Sequence, residues 1–148
     1  MTVASTSVFH TNSPIGTQSL GERTGAAAQP GEVWLLIGDL GAGKTQFAQG
    51  FAAGLGVTDD VISPTYPILV TYTTGRTLLN HIDFYRLEDE SQLADIDFDS
   101  CIAPDAITLI EWGDRFAAAR RAMTGVVNIT IPDPAIPDKR RIEVIQLR

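Results

Sequence analysis

With 148 residues the chain can bury about two thirds of its unfolded surface as one domain, which leaves no room for a second catalytic domain. Eleven basic against eighteen acidic residues give a net charge of −7, which argues against autonomous binding to a nucleic-acid backbone, so that a nucleic-acid role would run through a partner. The single cysteine, Cys101, excludes an intrachain disulfide, and beside Ile102 and Ala103 it reads as a small core residue rather than a nucleophile.

Residues 1–12 are polar and small, with neither the basic nor the apolar region of a leader. They predict a frayed start to a cytoplasmic chain that has no membrane span. Ser13 and Pro14 have the form of a helix cap with proline at the first helical position. A helix over residues 14–28 follows, weakened by Gly16, Gly21 and Gly25 and ended by Pro30 and Gly31. The run Val33–Ile37 is continuously apolar, the pattern of a strand covered on both faces.

That run leads directly into Gly38, Asp39, Leu40, Gly41, Ala42, Gly43, Lys44 and Thr45, a complete G-x4-G-K-[ST] phosphate loop. The glycines let backbone N–H groups close around phosphate oxygens, Lys44 reaches the β- and γ-phosphates, and Thr45 offers its hydroxyl to magnesium. Beyond it, Phe47, Ala48, Phe51, Ala52 and Leu55 recur at helical spacing before Gly56. The positive end of that helix also faces the phosphates. Strand, loop and helix together favour a nucleoside triphosphate site over a plain glycine-rich turn.

Residues 62–67 read as an extended segment bounded by prolines. Residues 68–73 and 77–82 are β-rich runs separated by Thr74, Gly75 and Arg76, which predicts a hairpin. Residues 89–97 are polar and predict a short helix. Residues 107–110 form a second buried-strand pattern and deliver Glu111 to its C-terminal end, residues 115–123 predict a helix, and residues 126–131 and 142–147 predict a second hairpin around a proline-rich turn. The sum is one α/β domain over residues 1–148, a P-loop NTPase-like three-layer fold with a mixed parallel and antiparallel sheet.

A phosphate loop alone binds; hydrolysis also needs an acidic group near the magnesium and a group to orient the nucleophile. Asp83 and Glu111, each at a strand end, compete for these two roles, and the residues leave the division open. Thr65 is placed either to sense the γ-phosphate or simply to sit in a turn. His81 shares a strand face with Asp83, where a packing role one step removed from the metal is favoured over binding it because magnesium rarely takes imidazole. Trp112 reads as core by default, with a nucleotide-side wall or a partner contact as the alternatives. Arg86 and Arg115 are candidates for phosphate or transition-state contact, with solvated or salt-bridged roles favoured; Arg120, Arg121, Lys139, Arg140 and Arg141 read as helix and turn charges ahead of a partner surface.

Taken in order, residues 38–45 as GDLGAGKT, 63–66 as SPTY, 81–87 as HIDFYRL and 110–112 as IEW resemble the bacterial TsaE (YjeE) family, over about residues 20–115. The resemblance implies an ATPase accessory to threonylcarbamoyladenosine formation at position 37 of tRNA. It implies bound ATP and magnesium, docking on TsaD and TsaB type proteins, and contact with tRNA only through that complex. Carried over to this chain, Lys44 and the loop amides hold phosphates, Thr45 and Glu111 are magnesium ligands and Asp83 is needed for hydrolysis. Thr65 and Trp112 become switch and nucleotide-side elements. The family's use of an N-terminal segment near the nucleotide points to residues 11–13. Asp95 stands where the family often has glycine. Two other readings remain beside this one, a nucleotide-dependent regulatory binding module and, on the phosphate loop alone, a small-molecule kinase.

Overall fold

A computed structural model of the chain describes residues 2–64 and 68–147. In chain order it contains β1 (Val3–Thr11), α1 (Pro14–Ala27), β2 (Val33–Ile37), α2 (Lys44–Gly54), β3 (Leu69–Tyr72) and β4 (Leu78–Asp83). A 3₁₀ segment Glu90–Ile96, α3 (Phe98–Cys101), β5 (Ala106–Glu111), a 3₁₀ turn Gly113–Arg115, α4 (Ala117–Ala122), β6 (Gly125–Thr130) and β7 (Arg140–Leu147) follow. The seven strands form one sheet in the order β1-β7-β6-β2-β5-β4-β3.

The four inner strands β6, β2, β5 and β4 run parallel, and antiparallel partners close both flanks. This is the mixed sheet expected, with both hairpins present as β3–β4 and β6–β7. The central strand β2 is covered on both faces. Trp34 and Leu36 enter a core with Phe47, Phe51 and Leu109, while Val33 and Leu35 enter a second core with Phe84, Ile110 and Phe116. Alternating side chains of one strand feeding two layers is the geometry that makes β2 continuously apolar.

Helix α1 begins as its sequence predicts: Ser13 accepts the Gly16 N–H at 3.1 Å and Pro14 opens the first turn. Its glycines have a different role from the one expected. A Cβ at Gly21 would lie 2.3 Å from the Phe47 carbonyl oxygen and one at Gly25 2.1 Å from that of Phe51, while Gly50 and Gly54 on α2 approach the Gln18 and Glu22 carbonyls just as closely. The glycines let the two helices meet backbone to backbone, which fixes the start of α1 beside the phosphate loop.

Where the polar residues 1–12 predict a frayed start, the structure has the edge strand β1, paired with β7 from Val3 to Thr11. Its side chains through Val8 are exposed, so the hydrogen-bond ladder defines it rather than apolar alternation. Cys101 is buried, and that burial pushes its thiol up, away from nucleophilic reactivity. Among the described residues no helix is long and apolar enough to cross a membrane.

Candidate active site

The phosphate loop lies at the C-terminal end of β2, where strand gives way to α2. Gly41 has φ +79° and Gly43 φ +109°, the left-handed conformations that the tight turn requires. The Ala42 N–H closes the turn on the Asp39 carbonyl at 3.0 Å. Lys44 is only 6% exposed; its Nζ donates to the Gly38 carbonyl at 2.5 Å and to the Asp39 carbonyl at 2.8 Å. The same Nζ stands 4.5 Å from the centre of the Trp112 ring. Burial pulls the Lys44 pKa down, against the opposing effects of Glu111, Asp83 and Asp39.

A cleft of about 350 Å³ opens over this loop. Gly41, Gly43, Lys44 and Thr45 line it, with Leu40 at its exposed tip. The start of α1 supplies Ser13 and Thr17, and Asp83, Glu111 and Trp112 supply the opposite wall. Gly38, Asp39 and Ala42 instead line a second cavity of about 470 Å³, which also touches Trp112. That larger cavity has no Lys or Arg in its lining, so the first is the one suited to a triphosphate.

Parallel pairing of β4 with β5 sets Asp83 directly opposite Glu111. Both are almost fully buried. Glu111 Oε2 meets His81 Nε2 at 2.8 Å, and the Ser63 hydroxyl lies 3.3 Å from both Glu111 Oε2 and Asp83 Oδ2. Asp83 Oδ1 accepts the Tyr85 N–H at 2.8 Å. Among the described residues Glu111 Oε1 accepts no hydrogen bond. Burial, and then the neighbouring Glu111 charge, hold the Asp83 carboxyl above the usual range despite its hydrogen bonds. Two buried carboxylates and the Thr45 hydroxyl at one cleft form an oxygen-rich donor set that fits magnesium.

Trp112 packs at the margin of the second core rather than within it. It is half-buried, adopts a left-handed backbone conformation at φ +57°, and packs on Tyr85 with ring centres 5.1 Å apart. Gly113 makes this turn possible, because a Cβ there would stand 2.7 Å from the Leu35 side chain. Arg86 lines the cleft. Arg115 is drawn away, donating to the Phe84 carbonyl at 3.0 Å and the Tyr85 carbonyl at 2.6 Å. Thr65 lies outside the described residues.

A sequence model of the family described as "Threonylcarbamoyl adenosine biosynthesis protein TsaE" matches residues 11–142. The chain belongs to the TsaE family. It is 45% identical over 104 residues to the tRNA threonylcarbamoyladenosine biosynthesis protein TsaE of Bacillus subtilis, an alignment covering 70% of this chain and 65% of that one. Its counterpart in Treponema pallidum is 36% identical over 115 residues, covering 78% and 84%. The crystal structure of Bacillus subtilis YdiB superposes with a TM-score of 0.75 at 30% identity, covering all of this chain and 89% of that one.

The TsaE match begins at residue 11, where the structure brings the N-terminal segment to the cleft: Thr11 and Thr17 share a hydroxyl hydrogen bond of 2.8 Å, and Ser13 and Thr17 line the wall. Three contacts have no local sequence signature. The His81–Glu111 bond spans 30 positions, the Ser63–Glu111 bond spans 48, and Arg140, which reads as a turn charge, bonds to the phosphate loop across 98 positions. The proline-bounded SPTY segment carries Ser63, and that is the one signal that could have marked it.

Proposed function

We propose that the chain is a magnesium-dependent ATPase, slow alone and stimulated by partners of the TsaD and TsaB type, which serves threonylcarbamoyladenosine formation at position 37 of tRNA. The observation that carries this is the pairing of two buried carboxylates, Asp83 and Glu111, beside Lys44 and Thr45 in one cleft. Family membership supports the pathway.

In this reading the loop amides and Lys44 bind the triphosphate, and Lys44 exchanges its present bonds to the Gly38 and Asp39 carbonyls for phosphate oxygens. Thr45 and Glu111 would hold the magnesium, Glu111 having one carboxylate oxygen that accepts no hydrogen bond among the described residues; when bound, the ion would neutralise phosphate charge. Asp83 orients the attacking water and takes its proton as the water oxygen bonds to the γ-phosphorus and the bond to the β–γ bridging oxygen breaks. A raised pKa suits a carboxylate to that proton transfer. His81 fixes the Glu111 side chain by the bond to Oε2.

A second reading is a regulatory module in which hydrolysis is incidental. Ser63 favours it, because a hydroxyl in reach of both carboxylates links the start of the 63–66 motif to the state of the site. ATP hydrolysis with and without the TsaD and TsaB type proteins tests the first reading. Glu111→Ala should lower the rate on the order of a hundredfold. Unchanged, partner-independent turnover in that variant sinks the mechanism, and an Asp83→Ala chain that hydrolyses nothing yet fully supports tRNA modification establishes the second reading.

A further inference from the structure

Arg140, the first residue of β7, reads as an ordinary turn charge in the sequence, yet its guanidinium lies against the phosphate loop. Nε donates to the Ala42 carbonyl at 2.6 Å and Nη2 to the Gly41 carbonyl at 3.2 Å, two consecutive carbonyls of the loop. Nη1 donates to the Lys139 carbonyl at 3.1 Å and also to that of Pro137. The side chain borders the cleft, and among the described residues it makes no ion pair.

We propose that Arg140 is the positioning residue of the phosphate loop, setting the orientation of the Gly41 and Ala42 peptide groups for triphosphate binding. The proposal rests on the reading of the cleft as an ATP site. In a trans peptide the C=O of one residue and the N–H of the next point in opposite directions. Anchoring the Ala42 carbonyl therefore aims the Gly43 N–H away from Arg140, while anchoring the Gly41 carbonyl fixes the Ala42 N–H that closes the turn onto Asp39.

Both peptide groups adjoin glycines at positive φ, whose backbones rotate with little steric resistance. A loop so free would spend much of its time with amides misdirected, and each misdirected amide weakens phosphate binding. The planar fork of arginine meets two adjacent carbonyls at once, which a lysine ammonium on a single stem does not. Its charge, which has no carboxylate partner among the described residues, adds to Lys44 in favouring an anion at the cleft. Strand order makes the contact possible: β7 lies beside β6, which lies beside β2, so the start of β7 reaches the loop that follows β2.

Equilibrium binding of a fluorescent ATP analogue with magnesium, read beside thermal melting, tests the proposal in the full chain. Arg140→Ala should weaken binding about tenfold or more at an unchanged melting temperature, with part of the loss restored by millimolar guanidinium. Arg140→Lys should fall between that variant and the wild type. Unchanged binding in Arg140→Ala overturns the proposal, as does a loss that tracks a fall in melting temperature and resists guanidinium. A wild-type chain that binds no nucleotide in the same titration overturns instead the ATP-site reading on which the proposal stands.

Discussion

Asp83 and Glu111 are two carboxylates held side by side and out of water. Burial and the Glu111 charge raise the Asp83 pKa, so at pH between the unfolded and folded values the folded chain binds a proton there that the unfolded chain has released. Stability from this group is full below the unfolded carboxylate pKa of about 3.9 and is lost as pH rises through the higher folded value. Asp83→Asn keeps an oxygen for the Tyr85 N–H and removes the charge. In magnesium-free thermal melts its stability should lack that decline, and above the folded value it should melt a few °C higher than the wild type, the scale of about 1 kcal/mol. An unaltered pH profile would show that the pair carries no such strain. Lys44 shows the complementary case, a cation whose pKa burial lowers even beside these carboxylates.

At the scale of elements, the contact of α1 with α2 is the most demanding. A Cβ at Gly50 would stand 1.9 Å from the Gln18 carbonyl oxygen, and backbone cannot yield there as a flexible side chain would. Gly50→Ala should cost about 1–3 kcal/mol by overpacking, despite the better helix propensity of alanine. Gly16, whose Cβ would come no closer than 3.4 Å to Ser13 and Thr11, is the control, with Gly16→Ala near neutral; urea denaturation of both reads the difference. Much of this level was legible in the sequence, because the β2 run, the phosphate loop and the α2 spacing are local patterns enforced by burial and by phosphate chemistry. The glycines of α1 read as weak points because propensity counts only the cost within one helix, not the close approach to another. Strand β1 escaped notice for a related reason: its ladder uses backbone groups common to every sequence, and its outward side chains need no apolar period. Asp83 and Glu111 could be picked out as strand ends, but their pairing depends on which strands are neighbours. The same holds for Arg140, which only the return of β7 brings to the loop.

For the whole molecule, a chain of net charge −7 places Lys44, Arg86 and Arg140 beside the acidic Asp83, Glu111 and Asp138 at one cleft. The sheet that builds the cleft carries β2 as the fourth of seven strands, with three strands on either side. Opening an edge therefore leaves the floor beneath the phosphate loop intact. Amide hydrogen exchange should register this as a gradient, with β1 and β3 exchanging through local fraying and β2 and β5 only through global unfolding. Mass spectrometry of peptides from each strand checks it, and equal protection across the sheet would refute it. The strand beneath the phosphate loop would then be the last to exchange its amide protons with solvent, so the chain can breathe at both margins while its centre stays closed.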